Sequence, residues 1–172
     1  MIQIEYLPIV LTGIGLIASI LYYASVLRNA NKTQQLQLET RQAQLFMYIY
    51  DRWSSQEYNK HFFAIREWEW TDYDDFMQRY GWEKEVDVYY HFSSIGSFFE
   101  GIGVMVKRGL VDPTLVDDLI SNSVIFYWEK FGESIIKERR RRDNFPQLYE
   151  WVEYLYNIIK PIRDSQHPEL RT

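Results

Sequence analysis

A chain of 172 residues holds either one domain or a small domain with an anchor. It contains no cysteine, which excludes disulfides, thiolate metal sites and cysteine nucleophiles, and its eight glycines and five prolines argue against an all-β fold of many tight turns. The net charge of −5 falls almost wholly after residue 27, so the chain lacks the general basic character of many nucleic-acid-binding proteins; an aromatic share of 17% predicts a core built from large flat rings.

Residues 7–27 read LPIVLTGIGLIASILYYASVL without a single charge. As a helix the stretch is about 31 Å long, the thickness of a bilayer's hydrocarbon. Pro8 sits in the first turn, where a helix tolerates it, and Tyr6, Tyr22 and Tyr23 lie near the ends, where interfacial aromatics belong. The only charge before the stretch is Glu5, whereas Arg28, Lys32 and Arg41 follow it. This asymmetry predicts a single span with the amino terminus outside and the rest of the chain on the cytoplasmic side of the cell membrane. The competing readings are a cleaved signal peptide, which normally starts basic, and a buried core helix, which rarely runs so far without a charge. Gly13 and Gly15 do not make a GxxxG pair.

Nothing in residues 28–53 stops a helix, apart from the weak helix formers Asn29 and Asn31. The simplest expectation is one helix of about 70 Å from Pro8 to Trp53, with 28–53 as a stalk and Phe46, Ile49, Tyr50 and Trp53 as its packing stripe. A bundle of about six helices is then predicted over 54–160. Ser54 with Glu57, and Thr71 with Asp74, have capping-box spacing. A long helix from about Glu83 to Lys107 carries the stripe Val88, Phe92, Ile95, Phe99, Ile102 and Val106, flanked by narrow positions at Gly96, Gly101 and Gly103, and Gly109 is placed to end it. Asp112-Pro113 starts the next helix, with a joint expected at Ser121–Ser123 and a bend near Gly132. Asn144 and Pro146 open the last helix, Pro161 ends it, and 161–172 read as a flexible tail. No strand-like alternation of useful length occurs, so the fold class is all-α.

The segments ETRQAQLFMYIYDRWSS, SFFEGIGVMVKRGLVD and FPQLYEWVEYL resemble a family of membrane-anchored helical proteins, archaeal and bacterial, known only as a domain of unknown function. The resemblance spans most of 28–160, and the SFFEGIG and RGLVD blocks are its most specific part. It implies the fold just derived and a prokaryotic source; it brings no activity, cofactor or catalytic residue.

Motifs for chemistry are sparse. Glu57 with His61, and Asp87 with His91, are spaced i, i+4, but neither Glu-x-x-His nor HExxH occurs, and His167 stands apart. No metal ligand, cofactor or catalytic residue is assigned. GxxxxGK[ST], GxGxxG and GxSxG are all missing. Glu100, between Phe99 and Gly101, is a candidate buried carboxylate, to be held by a cationic partner or to carry a raised pKa. The segment WEWTDYDDFMQRYGW marks Trp68, Trp70, Tyr73 and Trp82 as candidate protein contacts against the plainer reading of capping and packing. Lys137–Arg142 reads KERRRR; it is either a solvated or internally paired run, or a patch at Arg139, Arg140, Arg141 and Arg142 for anionic lipid or an acidic protein, with nucleic acid the least favoured.

Together these features predict a non-enzymatic module anchored in the bilayer that docks on a larger membrane protein complex or forms a homo-oligomer. The alternative is a membrane-tethered effector or sensor, for defence or stress, with a small-molecule or hydrolytic site around Glu100.

Overall fold

A computed structural model describes residues 6–166 and residue 168; Glu5 and His167 lie outside them. Every element among the described residues is helical. The order is α1 (Leu7–Ser54), α2 (Gln56–Arg66), α3 (Tyr73–Tyr80), α4 (Val86–Lys107), α5 (Pro113–Phe131), a π-helical turn (Gly132–Lys137), α6 (Glu138–Arg142) and α7 (Glu150–Gln166). The chain divides into two compact units, Met1–Ala43 and Gln44–Thr172, with the boundary inside α1.

In the first unit the helix passes through Asn29 and Asn31 without a break. Its large apolar side chains up to Leu27 lie between 44% exposed (Val26) and 68% exposed (Ile9). The hydroxyls of Thr12 and Ser19 donate to the carbonyls of Pro8 and Gly15, at 2.8 Å each, so these two polar side chains of the apolar stretch are satisfied by their own helix. One window of this helix is long and apolar enough to cross a membrane, and no part of it is buried.

The second unit is built on rings. The last turns of α1 contribute Ile49, which is buried, with Leu45 and Trp53 packed beside it. Tyr50 is 41% exposed and off that face; the packing stripe of α1 therefore excludes it. α4 supplies Phe92, Ile95, Phe99, Ile102 and Val106 to the core at intervals of three and four, as one face of a helix must. Phe92 lies at the centre of the ring cluster, 5.8 Å from Phe76, 5.5 Å from Tyr127, 5.1 Å from Phe131 and 5.8 Å from Tyr149, centroid to centroid. Such offset and edge contacts add to the area each ring removes from water. α7 packs against both α4 and α5, and α2 packs on α4. The α4–α7 approach is close because Gly103 has no side chain: an added Cβ would fall 2.7 Å from the carbonyl carbon of Trp151.

Several boundaries differ from the sequence expectation. The cap of α2 is Ser55, whose hydroxyl accepts from the Tyr58 amide, and that of α3 is Asp72, which accepts from the Asp75 amide; both caps fall one residue after the expected Ser54 and Thr71. α4 begins at Val86 rather than Glu83. Asp112 caps α5 through the Thr114 amide and Gly109 adopts φ +65°, both as expected. The joint at Ser121–Ser123 does not form; α5 continues through it with Ser121 buried. The bend near Gly132 is a π-helical turn, where Gly132 lets the Trp128 ring lie 2.7 Å from a would-be Cβ. Asn144 and Pro146 do not open the last helix. Asn144 (φ 49°) and Tyr149 (φ 53°) are both left-handed, and α7 starts only at Glu150. Pro161 lies within α7, which runs on to Gln166, so the first residues assigned to a tail are helical.

Candidate functional site

The aromatic residues singled out for protein contact are mostly occupied inside the domain. Trp68 is buried and stacks on Tyr80 at 4.2 Å. Trp70 stacks on Phe131 at 5.1 Å, and Lys130, which donates to the Arg66 carbonyl, lies 5.5 Å above the Trp70 ring. Tyr73 is buried, with the Arg142 guanidinium 4.5 Å from its ring. Trp82 is half-buried beneath the Arg139 guanidinium at 4.0 Å. The arrangement is that of capping and packing, with cation–π contacts closing the surface.

The arginine run is likewise paired. Arg139 binds Asp143 at 3.1 Å and donates to the Tyr89 hydroxyl. Arg140 joins Glu153 and the Leu148 carbonyl. Arg141 meets Glu138, and Arg142 bridges Glu138 and Asp74. The two guanidiniums on Glu138, through hydrogen bonds first, hold its carboxyl down to about 2. An array whose charges are neutralised by neighbours offers little net field to a lipid or phosphate.

Glu100 is half-buried, and its Oε2 accepts from the amides of Trp151 (3.0 Å) and Val152 (2.9 Å). These are among the first amides of α7, which left-handed Tyr149 cannot cap in the ordinary way. A carboxylate from α4 thus caps α7 across the bundle. Burial pushes its pKa up, and the two amides oppose that shift. No arginine is needed as its principal partner, and one of its two carboxylate oxygens is committed to the cap.

A groove of about 420 Å³ is lined by Tyr48 and Arg52 of α1 and by Tyr90, Ser93, Ser94, Ser97 and Phe98 of α4. The residues share one side because Tyr48 and Arg52 are one turn apart, as are Tyr90 and Ser94, and Ser93 and Ser97. Three small serines and three aromatic rings share the lining. Arg52 is held by Glu57 at 2.7 Å.

Beside the groove two imidazoles meet. His61 of α2 and His91 of α4 face each other with their Nδ1 atoms 2.8 Å apart, and His61 lies edge-on to Tyr90 at 5.2 Å. Burial pushes both rings' pKa values down from the ordinary histidine value. Among the described residues no group of three or more His, Cys, Asp or Glu is arranged to hold a metal ion. Sequence reasoning set each histidine against the carboxylate one turn before it and missed the partner thirty residues away. The only available signal was the shared acid-x-x-x-His spacing on two helices.

Neither a curated protein nor a solved structure matches the chain. A family model does match, over residues 9–159, and covers both the apolar helix and the ring-filled bundle. The chain therefore belongs to the family described as a domain of unknown function, DUF4760.

Proposed function

We propose that this protein is a membrane-anchored interaction module: Leu7–Leu27 spans the cell membrane once, and the helical domain sits on its cytoplasmic side as an accessory or regulatory subunit of a membrane protein complex. The observation that carries the reading is the exposure of every large apolar side chain from Leu7 to Leu27, on all sides of a helix in which the Thr12 and Ser19 hydroxyls bond to their own backbone. Water is a poor solvent for such a surface and hydrocarbon a good one. The orientation rests on Arg28, Lys32 and Arg41, which follow the apolar stretch.

The interaction half of the proposal rests on the groove. Its serines are small enough to admit the close approach of a helix, and Tyr48 (65% exposed) and Tyr90 (51%) offer apolar rings with a polar tip. The occupant we assign is a helix of a membrane-resident partner. Confinement to the same membrane raises the effective concentration of two tethered surfaces to about the millimolar range, so a shallow groove suffices. The paired state of Arg139–Arg142 disfavours nucleic acid. The effector reading draws no comparable support, because Glu100 is engaged as a cap.

Two measurements test this. Carbonate washing of membranes should leave the full-length chain in the pellet, and protease added outside the cell should spare the domain; release into the wash would end the tether reading. A photo-crosslinking residue at Tyr48 or Ser97 should then give one adduct of fixed mass with a membrane protein. A crosslinker at Arg141 should give none. Equal adducts from all three positions, or an adduct only with a second copy of the chain, would overturn the assigned occupant.

A further inference from the structure

The histidine pair is not used by the docking reading, and its geometry carries a separate consequence. Two Nδ1 atoms at 2.8 Å are within hydrogen-bonding distance, and a neutral pair can make that bond only if one ring carries its proton on Nδ1 and the other presents a bare Nδ1. One added proton is tolerated, because an imidazolium still donates to a neutral ring. A second removes the acceptor and sets two N–H groups, and two positive charges, against each other at the same distance. His61 is only 7% exposed, so the charge gains little from water.

The surrounding charges do not relieve it. Arg52 faces the pair from α1, Glu57 and Lys60 from α2, and Asp87 from α4. These are two cations and two anions, and Glu57 is already bound by Arg52. The four charges sum to zero, so the neighbours supply no net anion for a second imidazolium.

We propose that His61 and His91 form a proton-counting latch between α2 and α4, closed with up to one added proton and opened by the second. The sign follows from burial. Both rings bind protons more weakly in the folded domain than in the unfolded chain. The latch is therefore complete above the ordinary histidine value near 6.5 and is lost as pH falls through the lowered values of the pair. The two protons leave in steps that belong to the pair rather than to either ring. Opening frees α2 from α4 beside Tyr90, a residue that lines the groove.

The test is hydrogen exchange of the full-length protein in lipid nanodiscs between pH 7.5 and 5, corrected for intrinsic rates. Protection of the α2 amides should fall about tenfold per pH unit once the second proton binds, while α5 and α7 keep theirs. His91→Gln, which keeps hydrogen-bonding groups but cannot titrate there, should flatten the response. An α2 protection that ignores pH, or a His91→Gln protein that responds like wild type, would overturn the latch. Should His91→Gln fail to fold, nitrogen-15 spectra of the wild-type imidazoles at pH 7.5 decide alone. One Nδ1–H and one bare Nδ1 are expected, and two Nε2–H tautomers would refute the bond.

Discussion

The two units use one helix in opposite ways. From Leu7 to Leu27, α1 shows apolar side chains on every side and the protein covers none of them. Near its other end the same helix buries one face, Ile49 at 2% exposure with Leu45 and Trp53 beside it, and leaves Met47, Tyr48 and Tyr50 outside. Helix formation is common to both; what differs is the solvent each part requires. Stability of the second unit comes from ring packing, whereas the first unit's apolar surface has no packing partner in the chain.

If that division is correct, single substitutions should separate the two behaviours. The largest effect is expected for Phe131→Ala. Its ring is fully buried among Phe92, Tyr127, Phe76 and Trp70, and its loss should cost about 3–5 kcal/mol in denaturant unfolding of the domain while membrane retention stays intact. Leu16→Lys should do the reverse. A lysine mid-span costs about 2.5–3.5 kcal/mol of insertion, seen as a larger carbonate-soluble fraction, with the domain's unfolding unchanged. If Leu16→Lys lowers the melting temperature of the domain, the two parts are not energetically separate.

Within the second unit, Glu100→Ala strips α7 of its cap from α4 and should destabilise by about 1.5–3 kcal/mol, as expected for amides bonded to a charged acceptor. Glu100→Gln keeps an acceptor and should recover part of that loss. Equal losses for the two variants would mean that the charge, not the bond, matters. The smallest effect belongs to Arg142→Gln. Its pairs with Asp74 and Glu138 are solvent-exposed, so unfolding should shift by no more than about 0.5 kcal/mol, and the difference should vanish in high salt. A loss of several kcal/mol there would reveal a structural role that the exposed geometry does not suggest.

Local signals were legible in the sequence where one segment settles its own structure. The uncharged run of α1, the α4 stripe, the Asp112-Pro113 start and the left-handed Gly109 are of this kind. Errors of one residue arose where two neighbours could both cap, as at Ser54-Ser55 and Thr71-Asp72. Larger ones arose where tertiary contacts decide. Ser121 reads as a joint but is buried inside α5. The start of α7 is set by Glu100, fifty residues away. Trp68 and Trp70 left packing and protein contact both open, because composition does not tell a ring facing a partner from one facing Phe131. The groove was invisible for the same reason: Tyr48 and Ser97 share a wall only after α1 and α4 have folded.

The π-helical turn at Gly132–Lys137 has a bearing on how this chain tolerates change in length. Such a turn amounts to one residue threaded into an otherwise regular helix. Deleting a single residue there lets the backbone relax into α geometry while Glu138–Arg142 keep nearly the same direction about the axis, because the wider turn had already absorbed the extra residue's rotation. Arg139 would stay over Trp82 and Arg140 on Glu153. The turn therefore works as slack in the chain, and a protein shortened by one residue there should keep both its helix content and its arginine pairs.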